Sequence, residues 1–463
     1  MKTVKHIMNE SAGFKYIIDN LRIMSSSGRK MLLDTAIMKS EDKISKEIAG
    51  ISEVRELIQA DAGIFENICL NLEQLKDIHL TISNLASGSV LNDIDLFEIK
   101  QFAILHEEIT RLTRKLDFKC ISFDNLKEVI SILDPEGQCI PHFYIYSSYS
   151  SELQEIRDQM KNYYNSDVVL YEELRHKEQT AEEKIRKELT EKLLPFSSRL
   201  LSALKSLSYF DILIAKSSQS LSMDFCEPEI SNDHSEYLSL FNPALKEILA
   251  LQNKVFQPVD IRLYQSPTLV TGANMGGKTV LLKTLFISQY LFQFGFYVPA
   301  KKAKIVPADE IILSHEESIP EFNGLSSFAA EMLSVNKIMD SVKSGKNVLA
   351  LIDELARTTN PDEGKSIVRA MIDFLTEYKV CSVITTHYSG IINKCKKLRV
   401  KGLMTEKIKG KIKFEHLNNY MDYSLAETEG PEVPAEGLKI AEIMGVDQEL
   451  IKRAKTYLSN LTE

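Results

Sequence analysis

The sequence predicts an all-α domain followed by an α/β domain. Two observations predict this class, and both concern the hydrophobic pattern on either side of residues 225–235. Before that segment, apolar residues recur at spacings of three and four, the period of an amphipathic helix. After it, short apolar runs rich in β-branched residues alternate with helical stretches, as in a parallel sheet with helices on both faces. We therefore expect a helical domain over residues 1–230 and an α/β domain over residues 235–463.

The helical period of the N-terminal part is clear in one set of apolar residues, Ile51, Val54, Leu57 and Ile58. A turn is predicted at residues 133–137, which contain Pro135 and Gly137. The aromatic run over residues 143–149 predicts a short strand. Residues 172–192 are crowded with charge, which predicts an exposed, short helical hairpin near residues 155–200.

Composition and charge limit the classes of function. The 463 residues carry a net charge of −9, whereas a protein whose whole surface binds nucleic acid is usually basic. Any DNA contact would therefore need a local basic patch. The six cysteines have no C-x-x-C spacing, which favours neither a zinc site nor a disulfide framework. No apolar run is long enough to span a membrane and no signal peptide is evident, so we expect a cytoplasmic protein without a membrane partner.

A phosphate loop is the strongest motif in the sequence. Residues 272–279 fit G-x-x-x-x-G-K-[ST] and lie between a predicted buried strand and an amphipathic helix. Glycines let backbone N–H groups turn toward phosphate oxygens, and the N-terminus of the helix adds positive potential. The predicted nucleotide-binding residues are Gly272, Asn274, Gly276, Gly277, Lys278, Thr279 and Val280.

Two residues of this loop have specific chemistry. Lys278 would reach the β and γ phosphates, and the hydroxyl of Thr279 would bind Mg²⁺. The alternative is a chance glycine-rich turn, which average composition would produce in roughly one or two chains per hundred of this length. The flanking strand and helix make the phosphate loop the better interpretation.

An acidic pair and a histidine follow two later strands. A predicted strand over residues 347–352, apolar from Val348 onward, is followed by Asp353 and Glu354. Asp353 would hold the Mg²⁺ shell and Glu354 would polarise the attacking water. Alone, two acids at a strand end could be a solvated turn. His387 follows the run 381–386 at the sheet edge where ligands bind, and we expect a γ-phosphate sensor or a water-positioning group, although a lone histidine is more often structural.

Five motifs occur in an order that resembles the MutS family of DNA mismatch-repair ATPases, a branch of the ABC-type ATPases. They are the phosphate loop at 272–279, Tyr-Val-Pro-Ala at 297–300, Gly-Leu-Ser-Ser-Phe-Ala-Ala-Glu-Met at 324–332, Ile-Asp-Glu-Leu at 352–355 and Thr-Thr-His-Tyr at 385–388. Residues 438–445 and 451–454 resemble the closing helices of the family. The resemblance implies a P-loop ATPase domain preceded by helical core and lever elements.

The resemblance also implies a mechanism. ATP and Mg²⁺ would bind between the ATPase domains of a homodimer, with Glu354, His387 and Lys278 as the catalytic residues. Ser326 and Ser327 of one subunit would face the γ-phosphate held by Lys278 of the other. Ser-Ser at this position also fits a simple helix N-cap, and the two interpretations are compatible. Nucleotide turnover would move the helical arms on mismatched or branched DNA.

Several features depart from the family pattern. The chain begins directly in core-like helices, so we expect no mismatch-reading domain, and we expect no nuclease-like domain after residue 463. The DNA clamp is reduced to the hairpin at 155–200. Residues 151–200 contain eleven acidic and nine basic side chains, which do not form the positive strip that phosphate contacts require.

The turn after the acidic pair suggests an alternative function. Residues 356–364 read Ala-Arg-Thr-Thr-Asn-Pro-Asp-Glu-Gly where the family usually has a Gly-Arg-Gly-Thr type of turn. This variant resembles a MutS-related subgroup associated with reactivation of the adenosylcobalamin-dependent lysine 5,6-aminomutase. A protein-remodelling ATPase with a protein client and no DNA role is therefore the alternative to a DNA-acting ATPase. A nucleotide-gated dimer with negligible hydrolysis is a third hypothesis, and the presence of Glu354 argues against it.

Overall fold

The fold consists of two compact units. The structure, a computed structural model, describes residues 2–114, 118–139, 143–163, 168–272, 276–315, 327–392, 394–404, 406, 408, 419–428 and 437–460. The sheet unit comprises Met1–Leu21, Ala36–Ile48 and Gln219–Glu463, and the helical unit comprises Arg22–Thr35 and Ala49–Ser218.

The described residues form helices and strands with the following bounds. The helices are α1 (Val4–Glu10), α2 (Ala12–Asp19), α3 (Ser26–Asp34), α4 (Glu41–Ala60), α5 (Ala62–Leu72), α6 (His79–Ala86), α7 (Asp93–Arg114), α8 (Lys127–Leu133), α9 (Ser151–Tyr163), α10 (Val168–Leu193), α11 (Ser197–Ser222), α12 (Pro243–Leu251), α13 (Lys278–Gln293), α14 (Ser327–Lys343), α15 (Pro361–Glu377), α16 (Gly437–Ile443) and α17 (Gln448–Asn460). The strands are β1 (Pro228–Ile230), β2 (His234–Leu240), β3 (Val259–Tyr264), β4 (Pro267–Thr271), β5 (Lys302–Ile305), β6 (Glu310–Ser314), β7 (Val348–Ile352), β8 (Cys381–Thr386), β9 (Lys396–Leu403) and β10 (Met421–Glu427).

The described residues of the helical unit form helices joined by turns and irregular segments, without a strand. Helix α7 buries one apolar face that includes Leu96, Ile99, Phe102 and Ile109, the spacing of a core-facing helix. Helices α9 and α10 pack against each other as a hairpin. A 3₁₀ turn at Leu194–Phe196, which contains Pro195, separates α10 from α11. Among the described residues, no helix is both long and apolar enough to cross a membrane.

The predicted strand at residues 143–149 was wrong. Residues 143–146 belong to no helix or strand of the described structure, and Ser147–Tyr149 form a 3₁₀ turn. Their aromatic side chains instead pack among helices. The hydroxyl of the buried Tyr146 accepts a hydrogen bond of 2.8 Å from Lys100 Nζ, and the hydroxyl of Tyr149 donates to the carbonyl of Ile132 at 3.0 Å. The aromatic content therefore reflects burial of rings, not β-pairing.

The sheet unit contains two sheets. Strands β1, β5, β2 and β3 form one sheet in that order, in which β1 and β5 are parallel and β2 is antiparallel to both of its neighbours. The second sheet has the order β10-β9-β4-β8-β7-β6, and all of its pairs are parallel except β10 with β9.

Helices cover both faces of the six-stranded sheet. Val348, Ala350 and Ile352 of β7 join a core cluster with apolar residues of α14 and α15. Because side chains alternate along a strand, Leu349 and Leu351 face the opposite side. Helix α13 contacts β6, β7 and β8 and buries nearly all of its residues. The sequence prediction of an α/β domain is confirmed for this part of the chain.

The first residues of the chain pack with α13. The ring of Phe14 lies 5.8 Å from that of Phe294 and 6.4 Å from that of Tyr290, and the amide of Met38 donates to the carbonyl of Gln293 at 2.9 Å. Residues at the N-terminus therefore belong to the sheet unit, whereas the predicted helical domain included them. The domain ranges 1–230 and 235–463 stay a prediction. Helical periodicity alone does not indicate which partner a helix packs against.

Candidate functional site

The candidate site lies where three neighbouring strands end. Strands β4, β8 and β7 are adjacent and parallel, so their last residues, Thr271, Thr386 and Ile352, share one edge of the sheet. Ligands of open α/β sheets bind outside the carboxyl ends of the strands. This topology brings together the glycine-rich loop, the acidic pair and the histidine that the sequence analysis singled out.

Two glycines shape the described part of the loop. Gly272 follows β4 with φ of 145°, and a Cβ there would lie 3.0 Å from Cβ of Val400. Gly277 precedes α13 with φ of 76°, where a Cβ would lie 3.3 Å from the ring of Tyr423. Both conformations favour glycine because other residues carry a steric cost there. Asn274, which was predicted to bind nucleotide, lies outside the described residues.

Lys278 is buried at the start of α13. Its side chain is 3% exposed, and Nζ donates to the carbonyl of Gly272 at 2.7 Å. Nζ also lies 3.6 Å from Oε1 of Glu354. Burial lowers the pKa of Lys278, whereas the carboxylates of Glu354 and Asp353 act in the opposite direction. The ammonium group is therefore already held between the loop and the acidic pair.

Asp353 accepts hydrogen bonds from three elements. Its Oδ2 accepts from the hydroxyl of Thr279 at 2.7 Å and lies 3.1 Å from Nδ1 of His315. Its Oδ1 accepts from the hydroxyl of Thr385 at 2.7 Å. Burial acts to raise the pKa of Asp353, but hydrogen bonds from His315, Thr385 and Thr279 outweigh it, so the pKa is lowered. The carboxylate is thus fixed in its charged form.

The donor set around Asp353 fits a magnesium ion. A hydroxyl oxygen and a carboxylate oxygen, which are the ligand types that Mg²⁺ prefers, lie within 2.7 Å of each other at Thr279 and Asp353. Both belong to rigid elements, α13 and the end of β7. The residues predicted to bind the metal are therefore side by side.

Glu354 lies in a strained position beside Lys278. Its φ is 47°, a conformation that costs about 1–3 kcal/mol in a residue other than glycine and occurs often at functional sites. Its backbone N–H donates to the hydroxyl of Thr385 at 2.9 Å, and its Oε2 lies 3.3 Å from Nη1 of Arg357. The carboxylate is 15% exposed and so remains able to meet a water molecule.

The turn after Glu354 is held by two other motifs. Ala356 has φ of 59°, its N–H donates to Oε2 of Glu331 in α14 at 3.0 Å, and its carbonyl accepts from the hydroxyl of Tyr388 at 2.6 Å. A Cβ at Gly364 would overlap that hydroxyl. This turn therefore links helix α14 and the Thr-Thr-His-Tyr motif at 385–388 to the acidic pair.

His387 stands at the same edge with an accessible ring. The ring centroid lies 4.4 Å from that of Tyr388. Partial burial lowers the pKa of His387, the Glu354 carboxylate opposes this, and the charges of Lys278 and Arg357 add to the lowering. These influences favour a neutral imidazole near neutral pH. Its function as a γ-phosphate sensor stays a prediction.

The remaining predicted residues are placed only in part. Val280 lies in the first turn of α13, and Gly276 directly precedes Gly277. Ser326 lies outside the described residues. Ser327 begins α14, and its side chain is not among the described ones.

An apolar cavity adjoins the loop and was missed by the sequence analysis. Its volume is about 230 Å³. Its lining includes Val255, Phe256, Gln257, Gly276, Gly277, Val280, Asn419 and Tyr423. Gln257 fixes one wall, because its amide donates to Asp422 at 2.8 Å and accepts from the backbone of Tyr423 at 3.0 Å. Apart from the residues of the phosphate loop, the lining carries no sequence motif that could have indicated the cavity.

Two polar residues of the site were also missed. Thr385 was recognised only as part of a strand and motif, and His315 was not recognised at all. Both owe their place to strand order, because β8 and β6 flank β7. A glycine-rich loop, a buried lysine and two carboxylates thus lie together at the edge of a parallel sheet, an arrangement that suits phosphate binding.

Residues 268–462 match the sequence model of MutS domain V. This match supports the resemblance to the MutS family for residues 268–462. It is 27% identical to the DNA mismatch repair protein MutS of Bacillus licheniformis over 278 residues, which cover 59% of this chain and 31% of that protein. It is 30% identical to Endonuclease MutS2 of Caldanaerobacter subterraneus subsp. tengcongensis over 292 residues, 62% of this chain and 35% of that protein.

A longer match extends the similarity toward the N-terminus. The DNA mismatch repair protein MutS of Persephonella marina is 24% identical over 476 aligned positions, which cover 98% of this chain and 52% of that protein. The chain thus spans about half, or less, of the length of these relatives.

Proposed function

We propose that this chain binds and hydrolyses ATP with Mg²⁺. The observation that carries the proposal is the contact of four groups at one sheet edge. Lys278 lies between the carbonyl of Gly272 and the carboxylate of Glu354, and Thr279 donates to Asp353. A cation for the phosphates, an oxygen pair for the metal and an acid for water are the parts that phosphoryl transfer requires.

Each group has a distinct task in this proposal. Lys278 and the N-terminus of α13 stabilise the negative charge of the β and γ phosphates. Thr279 and Asp353 would hold Mg²⁺, which would neutralise part of the phosphate charge. Glu354 accepts hydrogen bonds from the attacking water and orients it. His387, whose ring is accessible, would donate to the γ-phosphate or position the same water.

The apolar cavity fits the base of the nucleotide. It adjoins Gly276, Gly277 and Val280 of the loop, so a nucleotide whose phosphates lie on the loop would extend its base there. The rings of Phe256 and Tyr423 offer flat apolar surface for stacking against a purine. A nucleotide would thus be held at both ends.

We further propose that the active form is a homodimer acting on DNA. Ser326 and Ser327 of one subunit would approach the γ-phosphate bound by the other, so that ATP closes the dimer and hydrolysis reopens it. The helical units would convert this cycle into movement of arms on mismatched or branched DNA. The match to MutS domain V and the names of the MutS relatives support this step.

DNA-dependent turnover tests the DNA proposal. We expect duplex, mismatched or branched DNA to change the ATP turnover several-fold at low salt, because phosphate contacts weaken steeply as salt increases. A Lys278→Ala variant serves as the control for contaminating ATPases. If no DNA changes turnover or is retained in a gel at low salt, the DNA function is wrong while ATP hydrolysis can still stand.

One observation favours the alternative of a protein-remodelling ATPase. Arg157 lies 2.7 Å from Glu178 and 2.8 Å from Glu182, and Arg186 lies 2.8 Å from Asp93 and 3.0 Å from Glu182. These hairpin arginines are neutralised within the helical unit, so they do not offer free positive charge to DNA. Such a surface suits a protein client, for example an adenosylcobalamin-dependent aminomutase.

Experiments with the aminomutase distinguish the remodelling function from the DNA function. A remodelling ATPase should co-purify with lysine 5,6-aminomutase and restore its activity in the presence of ATP, and DNA should leave its turnover unchanged. Stimulation of turnover by DNA, without any effect on the aminomutase, would exclude this alternative.

A further inference from the structure

His315 lies beside the acidic pair although it belongs to none of the five motifs. It directly follows β6, and Ser314 pairs with Ile352 in the parallel register of β6 and β7. His315 and Asp353 are the next residues along these two strands. The N–H of Asp353 also donates to the carbonyl of Ser314 at 2.9 Å. The backbone therefore fixes the imidazole and the carboxylate next to each other.

The imidazole contacts the carboxylate through a defined atom. Nδ1 of His315 lies 3.1 Å from Oδ2 of Asp353, and the His315 side chain is 14% exposed. An ionised carboxylate only accepts hydrogen bonds, so Nδ1 carries the hydrogen. The same Oδ2 accepts from the hydroxyl of Thr279 at 2.7 Å. His315 thus acts on the oxygen that Asp353 shares with the other predicted metal ligand.

Each oxygen of the carboxylate has its own support. Thr385 in β8 donates to Oδ1 at 2.7 Å, while Thr279 and His315 donate to Oδ2. A carboxylate held at Oδ1 alone could still rotate about its Cβ–Cγ bond. The two donors to Oδ2 differ, because Thr279 is itself a predicted ligand of the cation and must direct its oxygen lone pairs toward it. His315 donates to Oδ2 without being a predicted ligand.

We propose that His315 is a positioning residue for the divalent cation that accompanies the nucleotide. The inference rests on the proposed hydrolysis of ATP. The Nδ1–H group of His315 holds the rotation of the Asp353 carboxylate so that Oδ2 stays beside the Thr279 hydroxyl. Hydrogen-bond partners behind metal ligands change metal affinity by about 10–100-fold. His315 should therefore act on cation affinity more than on nucleotide affinity.

Binding of Mn²⁺ tests this effect without relying on catalysis. Mn²⁺ replaces Mg²⁺, and electron paramagnetic resonance measures free Mn²⁺ as it is titrated into the full chain with the non-hydrolysable analogue AMPPNP. The variants are His315→Ala, which removes the donor, and His315→Asn, whose amide nitrogen restores it near the position of Nδ1. His315→Leu removes the donor while keeping the volume, so it carries the test if the alanine variant does not fold.

A matched control removes another histidine–aspartate contact. His234, on the four-stranded sheet, has Nδ1 2.8 Å from Oδ2 of Asp233, and His234→Ala deletes this contact away from the site. AMPPNP affinity in EDTA is measured for every variant. A purely structural effect of His315 would change the unfolding midpoint but not the cation affinity relative to the nucleotide affinity.

The expected result is at least about tenfold weaker Mn²⁺ binding in His315→Ala or His315→Leu. His315→Asn and His234→Ala should stay within about twofold of the wild type, and AMPPNP affinity in EDTA should be unchanged. Equal Mn²⁺ affinity in all variants would overturn the function of His315 and leave ATP hydrolysis intact. Failure of the wild type to bind AMPPNP with or without metal would overturn both proposals.

Discussion

Replacing Thr385 by valine should disturb both acids of the site at once. The hydroxyl of Thr385 donates to Oδ1 of Asp353 at 2.7 Å and accepts from the N–H of Glu354 at 2.9 Å, and Thr385 itself is fully buried. Valine keeps the shape of the side chain and removes both hydrogen bonds. No water can easily replace them at a buried position.

The magnitude follows from the two lost bonds. A hydrogen bond to a charged group contributes about 1.5–3 kcal/mol, and a buried N–H without an acceptor costs about 1–3 kcal/mol. The free energy of unfolding should therefore fall by about 3–5 kcal/mol in Thr385→Val, allowing for partial relaxation. A displacement of Asp353 and Glu354 near 1 Å should also reduce kcat by about 100-fold.

Urea unfolding and steady-state ATP hydrolysis measure the two effects. Thr385→Ser retains the hydroxyl and should keep most of the stability and turnover. Thr268→Val in the neighbouring strand β4 is the matched control, because the buried hydroxyl of Thr268 has no hydrogen-bond partner within the described structure. A difference of less than about 0.5 kcal/mol between the unfolding free energies of Thr385→Val and Thr268→Val would be too small for a lost buried hydrogen bond. Such a small difference, together with normal ATP turnover in Thr385→Val, would contradict the assigned contacts of Thr385.

Three further predictions concern other buried groups. Lys100→Met should lower the free energy of unfolding in urea by about 3–5 kcal/mol, because the buried carboxylate of Asp134 loses the ammonium group 3.0 Å away. If the unpaired carboxylate is the cause, the double variant with Asp134→Asn should recover part of this loss. Burial lowers the pKa of the buried His106, so the unfolded chain takes up a proton before the folded chain does as the pH falls below about 6.5, and the free energy of unfolding decreases. In His106→Leu this decrease should be smaller. An unchanged dependence of the unfolding free energy on pH would contradict the prediction. Gly364→Ala should destabilise by about 1–3 kcal/mol and reduce turnover, because the new Cβ overlaps the hydroxyl of Tyr388; unaltered unfolding and turnover would count against this contact.

Part of the site could be predicted because its residues are adjacent in sequence to strand ends. Lys278 and Thr279 follow the loop after β4, and Asp353 and Glu354 follow β7. Parallel strands place their carboxyl ends at one edge, so apolar runs that end in these residues predict their convergence. The contact of Thr279 with Asp353 at 2.7 Å agrees with that prediction.

Other parts of the site depend on tertiary structure that no local pattern encodes. His315 reaches Asp353 only because β6 pairs with β7 in one particular register. Thr385 bridges the two acids only because β8 lies between β4 and β7. Phe256 and Tyr423 come together in one cavity from segments more than 160 residues apart.

The fold, like the site, could be predicted from the sequence only in part. The alternation of strands and helices after residue 235 predicted the α/β class, since the pattern is repeated many times. The aromatic run at 143–149 was wrongly predicted as a strand, because β-propensity measures how well side chains pack on a half-buried surface. Here Tyr146 finds that packing, and a partner for its hydroxyl, beside Lys100 among helices.

The central claim is that Lys278 and its loop hold ATP while Glu354 directs water to it. The most direct test follows radiolabelled ATP on the Glu354→Gln variant in a single turnover. We expect ATP to bind with Mg²⁺ and stay intact, with hydrolysis slowed by about 10²–10⁴-fold, the usual contribution of a general base. Formation of ADP at the wild-type rate, or no binding of ATP by the wild-type chain, would contradict the mechanism.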